Sequence, residues 1–215
     1  MSIDAYLNKT RREYQLGELD EQSVSTCPFS QFRAWFDEAM KYAGGEPNAC
    51  ALATVGSDLY PSVRMLLLKA FDERGFVFFS NYKSHKGAQL AQNPQAALLF
   101  YWGALERQVR IEGAVEQVSQ AESEAYFESR PVAARIAATV SRQSEVVSSR
   151  LIIEEAFAVG SARGDGESIK RPVDWGGYRL QPRRFEFWQG RENRLHDRIV
   201  YDRRNGSWGI ERLWP

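Results

Sequence analysis

The sequence predicts an α+β protein with an antiparallel barrel or curled sheet at its centre and helices inserted between the strands. Three observations carry that prediction. Strand-length apolar stretches recur through residues 49–118 and again through 175–214. One of them, "RQVRIEGAVEQV" (107–118), alternates Val109, Ile111, Gly113 and Val115 with Arg110, Glu112, Ala114 and Glu116, the period of a strand with one wet face. Strand–helix–strand alternation is too weak for a doubly wound parallel sheet, no Gly-x-Gly-x-x-Gly follows a strand, and no Walker-type loop occurs.

Residues 1–27 are polar and weakly patterned and read as an arm that is mobile or docks on something. The remainder, 28–215, reads as a single domain. It opens with an amphipathic helix. Phe29, Phe32, Phe36, Met40 and Ala43 recur at helical spacing, with Pro28 near the start and Gly44-Gly45 as a stop. Strands follow at 49–55, 60–71 and 76–81, separated by "GSD" and "DERG" turns. A short helix over 84–94 is stopped by Asn93-Pro94, and strands at 96–102 and 107–118 come next. Ser119 with Glu122 forms a capping-box pattern that starts a helix at 119–131. Further helical stretches cover about 132–140 and 146–159, and 160–168 is a loop. The end returns to strands at 175–182, 184–190, 195–202 and 207–214, with Asn205-Gly206 as a hairpin turn.

Composition narrows the function classes. The chain has 215 residues, 43% hydrophobic and 26% charged, enough for a sizeable core. Lys+Arg and Asp+Glu are equal at 28 each, so the excess positive charge of a nucleic-acid or anionic-membrane binder is missing. Cys27 and Cys50 are too few for a disulfide framework, and no Cys/His spacing suits a metal. Without a signal-length or membrane-length apolar run, the expected location is the cytoplasm.

Five stretches could carry chemistry. In "RMLLLK", strand parity puts Arg64, Leu66 and Leu68 on one face and Met65, Leu67 and Lys69 on the other. Either both cations snorkel to solvent or they serve two anion sites on opposite faces. "SNYKSHKG" clusters Ser80, Lys83, Ser84, His85 and Lys86 where a strand meets a helix start, the makings of a phosphate cradle or simply a polar loop. Tyr126 and Arg130 are four apart; they could bind a phosphate ester, though a surface pair near a helix end is the plainer reading. Gln143 and Ser144 could meet a ligand or cap the next helix. In "RENRLHDR", Arg194, His196 and Arg198 have strand spacing and would share one face, where three cationic groups repel unless an anion sits against them. Trp188 could wall a planar ligand or fill the core. Several cationic anchors with no nucleophile triad and no paired carboxylates suggest a phosphorylated cofactor that supplies the chemistry.

Taken in order, "RREY", "RMLLLK", "VFFSN", "LERQVRIEG", "YFESRP", "VSRQS", "WGGYRL", "EFWQG", "NRLHDRIVYDR" and "ERLWP" resemble the pyridoxine (pyridoxamine) 5′-phosphate oxidase family over nearly the whole chain. The resemblance implies an antiparallel split β-barrel, the FMN-binding split barrel, with surrounding helices, whose strands at 175–215 complete the barrel and dimer region. It implies a homodimer with FMN at the subunit interface. FMN contacts are implied at Arg64, Met65, Leu66, Leu67, Leu68, Lys69, Phe79, Ser80, His85, Lys86, Gln108, Gln143, Ser144, Trp188 and Arg198. Substrate-phosphate contacts are implied at Lys69, Tyr126 and Arg130. Arg11 and Tyr14 look like a lid over the substrate, with Arg194, Leu195 and His196 on the side away from the flavin. The implied reaction oxidises the 4′ carbon of pyridoxine or pyridoxamine 5′-phosphate to the aldehyde, with dioxygen as acceptor, releasing hydrogen peroxide and, from the amine, ammonia. Arg194 and His196 would orient the substrate, and a histidine of ordinary pKa, about 6.5, could also handle a proton.

Two departures from the family pattern stand out. His85 replaces the arginine usual before the lysine, and an imidazole grips a phosphate less firmly than a guanidinium. In "RPVAARIAA", Ala134 replaces the usual serine and Ala137 the usual glycine, so one hydroxyl donor to the substrate phosphate is gone, at a cost of about 1.5–3 kcal/mol. Arg135 is a candidate to compensate. The alternatives are a split-barrel oxidase of the phenazine-biosynthesis type, or a flavin- or pyridoxal-phosphate-binding protein without oxidase activity.

Overall fold

In the computed structural model of the chain, the described residues are 13–162 and 169–215, together with Ile3 and Leu7. Among them lie five helices: α1 (Pro28–Tyr42), α2 (His85–Gln92), α3 (Gln120–Ser129), α4 (Val132–Val140) and α5 (Arg150–Ala162). The described strands are β1 (Ala49–Val55), β2 (Pro61–Leu67), β3 (Ala70–Asp72), β4 (Gly75–Asn81), β5 (Gln95–Trp102), β6 (Arg107–Gln117), β7 (Trp175–Gln189), β8 (Asp197–Arg204) and β9 (Ser207–Arg212). They form one sheet in the order β2-β1-β5-β6-β7-β4-β3, with β8 on β7 and β9 on β8. The β1–β2, β3–β4, β4–β7, β7–β8 and β8–β9 pairs are antiparallel. Among the described residues no helix is long and apolar enough to cross a membrane.

The chain divides into two compact units, and β5, β6 and β7 each contribute to both. The first comprises residues up to 47, 99–111 and 183–215. Its core is aromatic: Phe32, Phe100, Phe185, Phe187 and Tyr201 are fully buried, each worth roughly 1.5–3 kcal/mol of transfer free energy. The second comprises 48–98 and 112–182, around Leu52, Phe76, Phe78, Leu98, Phe127 and Leu180.

Four elements differ from the sequence expectation. In α1 the buried stripe is Pro28, Gln31, Phe32, Trp35 and Ala39, while Met40 is 58% exposed, so the apolar face is turned toward Trp35. The strand expected over 60–71 breaks at Leu68–Lys69. There the backbone changes partner: Leu68 N–H donates to Asn48 O (2.8 Å) and Lys69 N–H to Val77 O (2.9 Å). Conversely, 175–189 is one strand running through Pro182. Its pairing with β4 ends at Leu180 and with β8 begins at Arg184, so Pro182 owes no ladder bond to β4 or to β8. The third helical stretch, expected over 146–159, is Arg150–Ala162. The expected loop at 160–168 falls largely outside the described residues.

Capping chemistry reads through cleanly. Ser119 and Glu122 form the reciprocal box that starts α3. Ser84 Oγ accepts Gly87 N–H at the start of α2. Asn205 and Gly206 take left-handed φ values of 50° and 88° in the β8–β9 turn.

Candidate functional site

In the second unit, β2, β4, the start of α2 and the segment 141–145 bring a set of polar groups together. Arg64 projects from β2 and donates through Nη1 to Leu52 O (3.1 Å) and Thr54 Oγ1 (2.6 Å). Thr54 is buried and donates in turn to Gln89 Oε1 (2.6 Å), so the guanidinium rests on an inner hydrogen-bond chain. Lys86, on the first turn of α2, donates to Ser80 Oγ (3.0 Å), Ser84 Oγ (3.2 Å) and Gln143 Oε1 (3.0 Å). Ser80 Oγ also donates to Gln143 Oε1 (3.0 Å). Ser144 sits at φ 79° and accepts the His85 N–H on its hydroxyl (3.1 Å). A cavity of about 620 Å³ opens among Ser62, Val63, Arg64, Met65, His85, Lys86, Gln143 and Ser144.

The electrostatics of this cavity are those of two desolvated cations set close together. Burial, then the nearby Arg64 charge, push the Lys86 ammonium down to about 8. Burial also lowers Arg64 from the ordinary arginine range. Two cations held together by desolvating surroundings, with hydroxyl donors beside them, fit a phosphate group.

A second set in the same unit gathers on Trp175. Phe79 and Tyr126 stack at 3.8 Å, Phe79 and Trp175 at 5.7 Å, and the Tyr126 and Trp175 rings are parallel within 4°. The Arg130 guanidinium lies 4.7 Å over Trp175. Arg130 is the C-cap of α3, in extended conformation, so it meets Tyr126 at a shared ring rather than by helix repeat alone. Its Nη1 is buried with no hydrogen-bond partner, and Arg135 Nε is in the same condition. Burial lowers the Arg130 pKa. A buried, unmatched N–H costs about 1–3 kcal/mol, which an anion would recover. Lys69 is exposed, between β2 and β3; Leu66 and Leu67 are half-buried and Leu68 buried.

The first unit holds the remaining candidates. Tyr14, Trp188 and His196 form an aromatic triangle, with Tyr14 5.8 Å from each of the other rings and Trp188 4.7 Å from His196. Gly190 makes room for it, since a Cβ there would meet Tyr14 Cγ at 2.7 Å. His196 Nδ1 accepts the Arg191 N–H (3.1 Å). Burial, then the Arg194 charge, lower the His196 pKa, so the neutral ring is favoured. A cavity of about 500 Å³ lies beside this triangle, lined by Tyr14–Glu18, Arg191–Asn193, Leu195 and Asp197.

The expected common strand face of Arg194, His196 and Arg198 does not form. Glu192–Arg194 is a 3₁₀ turn, and Asn193 and Arg194 both take left-handed φ values, 56° and 61°, which no strand accommodates. Arg194 and Leu195 are exposed. Arg198 is on β8, paired with Glu186 Oε1 (2.8 Å) and donating to the Trp214 carbonyl (2.9 Å). Gln108 is half-buried on β6. Arg11 lies outside the described residues.

Sequence spacing missed Thr54 and Gln89 behind Arg64, Trp175 beneath Arg130, and Glu186. Glu186 is 7% exposed and sits between Arg198 and Arg110 Nη2 (2.9 Å). Glu106 was missed as well. Buried at φ 55°, it accepts the N–H groups of Gln15 (2.8 Å) and Leu16 (3.1 Å) and so docks the arm.

Fold and site define an antiparallel-sheet protein equipped for phosphorylated, planar ligands. Comparison with known proteins gives the family. Residues 36–164 match the model of pyridoxamine 5′-phosphate oxidase, and 175–215 match that of the pyridoxine 5′-phosphate oxidase C-terminal dimerisation region. A pyridoxine/pyridoxamine 5′-phosphate oxidase of Trichormus variabilis is 51% identical over 99% of this chain and 100% of its own. That of Cupriavidus pinatubonensis is 53% identical over 95% of this chain and 97% of its own. Among solved structures, PhzG from Burkholderia lata, in complex with tetrahydrophenazine-1-carboxylic acid, aligns with TM-score 0.87 and 29% identity over 93% of this chain and 99% of that one. A pyridoxamine 5′-phosphate oxidase-related, FMN-binding protein of Nostoc punctiforme aligns with TM-score 0.70 and 21% identity over 86% and 97%, a likeness of fold. The chain belongs to the pyridoxamine 5′-phosphate oxidase family, and its fold is the family's antiparallel split barrel with surrounding helices.

Proposed function

We propose that this chain is an FMN-dependent oxidase that converts pyridoxine 5′-phosphate and pyridoxamine 5′-phosphate to pyridoxal 5′-phosphate, acting as a cytoplasmic homodimer with FMN at the subunit interface. The observation that carries the reading is the presence, within one unit, of two separate cationic sets: Arg64 with Lys86, desolvated side by side, and Arg130, its Nη1 buried and unmatched, beside Tyr126. One phosphate belongs to the cofactor and one to the substrate.

Arg64, Lys86, His85 and Ser144 would hold the FMN phosphate. Met65, Leu66, Leu67, Leu68, Lys69, Phe79, Ser80, Gln108, Gln143, Trp188 and Arg198 would complete the cofactor's surroundings. Held there, FMN would supply the redox chemistry of the reaction, the two-electron oxidation of the substrate's 4′ carbon with dioxygen as final acceptor and hydrogen peroxide as its product. The chain's own residues bind and orient. Arg130 Nη1, Tyr126 and Lys69 take the substrate phosphate, and Arg135 supports them where the family serine is Ala134. Tyr14 of the arm covers the substrate, with Arg194, Leu195 and His196 beside it; Arg11, the arm's other candidate, lies outside the described residues. Because His196 Nδ1 already accepts the Arg191 N–H, its neutral ring carries its proton on Nε2. There it donates to a substrate oxygen or holds the ring in place; taking up a proton at Nε2 would require the other tautomer. His196 is therefore assigned to orientation.

The phenazine-type alternative is disfavoured. The relatives named as vitamin B6 phosphate oxidases are 50–53% identical to this chain, against 29% for PhzG, and Arg130 with Tyr126 suits a phosphorylated substrate. The test is product analysis in air. Pyridoxine 5′-phosphate should yield pyridoxal 5′-phosphate and peroxide one to one, and unphosphorylated pyridoxine far less. Turnover of both at equal efficiency would remove the phosphate assignments. Absence of peroxide from holoprotein with either would leave a binding protein.

A further inference from the structure

Tyr14 and His196 come from two short segments without regular structure, which bond to each other directly, Gln15 Nε2 to Glu192 Oε1 (2.5 Å) and Asn193 N–H to Glu13 Oε2 (3.2 Å), and are clamped together from outside both. Arg212, on β9, donates through Nε to Glu21 Oε1 (2.7 Å), through Nη2 to Glu21 Oε2 (2.8 Å) and to the Leu19 carbonyl (2.8 Å), and through Nη1 to Asp197 Oδ1 (2.6 Å). The other oxygen of Asp197 accepts the Leu19 N–H (3.0 Å) and lies 3.4 Å from Arg191 Nη1. Arg191 is the residue whose N–H donates to His196 Nδ1, and its guanidinium also reaches Glu18 Oε2 (3.1 Å). One guanidinium thus ties the arm at Leu19 and Glu21 to the residue next to His196. Closer to Tyr14, the arm is pinned again where Glu106 takes the Gln15 and Leu16 N–H groups.

This is more than a surface ion pair. The Arg212–Glu21 contact is bidentate, Asp197 is only 15% exposed, and the partners form a network instead of an isolated pair. Arg212 holds the Glu21 carboxyl down to about 2, so the clamp is fully charged at neutral pH.

We infer that Arg212 is a positioning residue: through Glu21, Leu19 and Asp197 it sets Tyr14 and His196 as one surface, and its loss loosens both together. The inference rests on the reading above that Tyr14 and His196 face the substrate.

The test uses holoprotein with Arg212→Ala, Tyr14→Ala, the double variant, Glu21→Gln and Arg212→Lys, with flavin content and thermal midpoint measured for each. Arg212→Ala should raise KM for pyridoxine 5′-phosphate about tenfold and change kcat less than about threefold. The double variant should fall well short of the product of the two single effects, because Arg212 acts partly through Tyr14 and partly through His196. Glu21→Gln should shift KM the same way by less, and Arg212→Lys should recover part of the loss. Exchange of the Leu19 amide hydrogen should quicken at least about tenfold in Arg212→Ala, and the His196 ring resonances should move. Effects of Arg212→Ala and Tyr14→Ala that multiply would overturn the inference, as would unchanged KM with unchanged Leu19 exchange. If Arg212→Ala fails to fold, the same readings on Glu21→Gln decide it. Amide exchange and the His196 resonances need no turnover, so a protein without oxidase activity would defeat the proposed function and still leave this inference decided.

Discussion

Lys86 offers a quantitative handle on the phosphate site. Burial and the Arg64 charge hold its ammonium down to about 8, so the free protein loses this positive charge in a range where FMN is unchanged. The second phosphate ionisation of FMN, near pKa 6, is essentially complete by pH 7. A phosphate against Lys86 favours the charged form, so above pH 8 binding must take up a proton and affinity falls. The free protein's fraction of uncharged lysine weakens binding by a factor of 1 + 10^(pH − 8), about 1.1 at pH 7 and about 11 at pH 9. The expected loss between those values is about tenfold, near 1.4 kcal/mol. Titration of apoprotein with FMN, followed by quenching of flavin fluorescence at pH 7, 8 and 9, measures it. Lys86→Met should bind more weakly at pH 7 and show no such fall. Equal wild-type affinity at pH 7 and 9 would refute the reasoning, as would a tenfold fall that survives in Lys86→Met.

Arg130→Ala removes the unmatched Nη1 and should raise KM for the phosphorylated substrate roughly 10- to 100-fold, the equivalent of about 1.5–3 kcal/mol, while leaving FMN affinity unchanged by flavin titration. Glu186→Ala leaves the guanidinium groups of Arg110 and Arg198 without their shared carboxylate at a buried position; urea unfolding should show a loss of roughly 3 kcal/mol. Gly190→Ala places a methyl 2.7 Å from Tyr14 Cγ, and should raise KM for the substrate with little change in the flavin spectrum.

How much of this could be read from the chain depends on the range of the interaction. The Ser119–Glu122 box and the Asn205-Gly206 turn are settled by neighbours in sequence, and both stand as read. Strand parity failed at "RENRLHDR" because two consecutive left-handed residues turn the chain before β8 begins, a backbone event that side-chain spacing does not report. The run 60–71 looked like one strand since all of it is extended and apolar. Only the exchange of partners from Asn48 to Val77 shows that it ends at Leu67. Lys86 meets Gln143 across 57 positions and Arg212 meets Glu21 across 191, distances at which no periodicity operates. Ser80, Ser84 and Lys86 stood out by composition where a strand meets a helix start, and ordered resemblance to a family joined Gln143 to the same ligand. The Arg212 clamp, which that resemblance did not single out, needed coordinates.

The central claim, that this chain carries FMN and moves electrons from a vitamin B6 phosphate to it, is tested most directly by one anaerobic spectrum. Holoprotein should be yellow, should bleach on addition of pyridoxine 5′-phosphate, and should regain its colour when air is admitted. Flavin that binds but stays oxidised under excess substrate, or protein that takes up no FMN, would contradict the account.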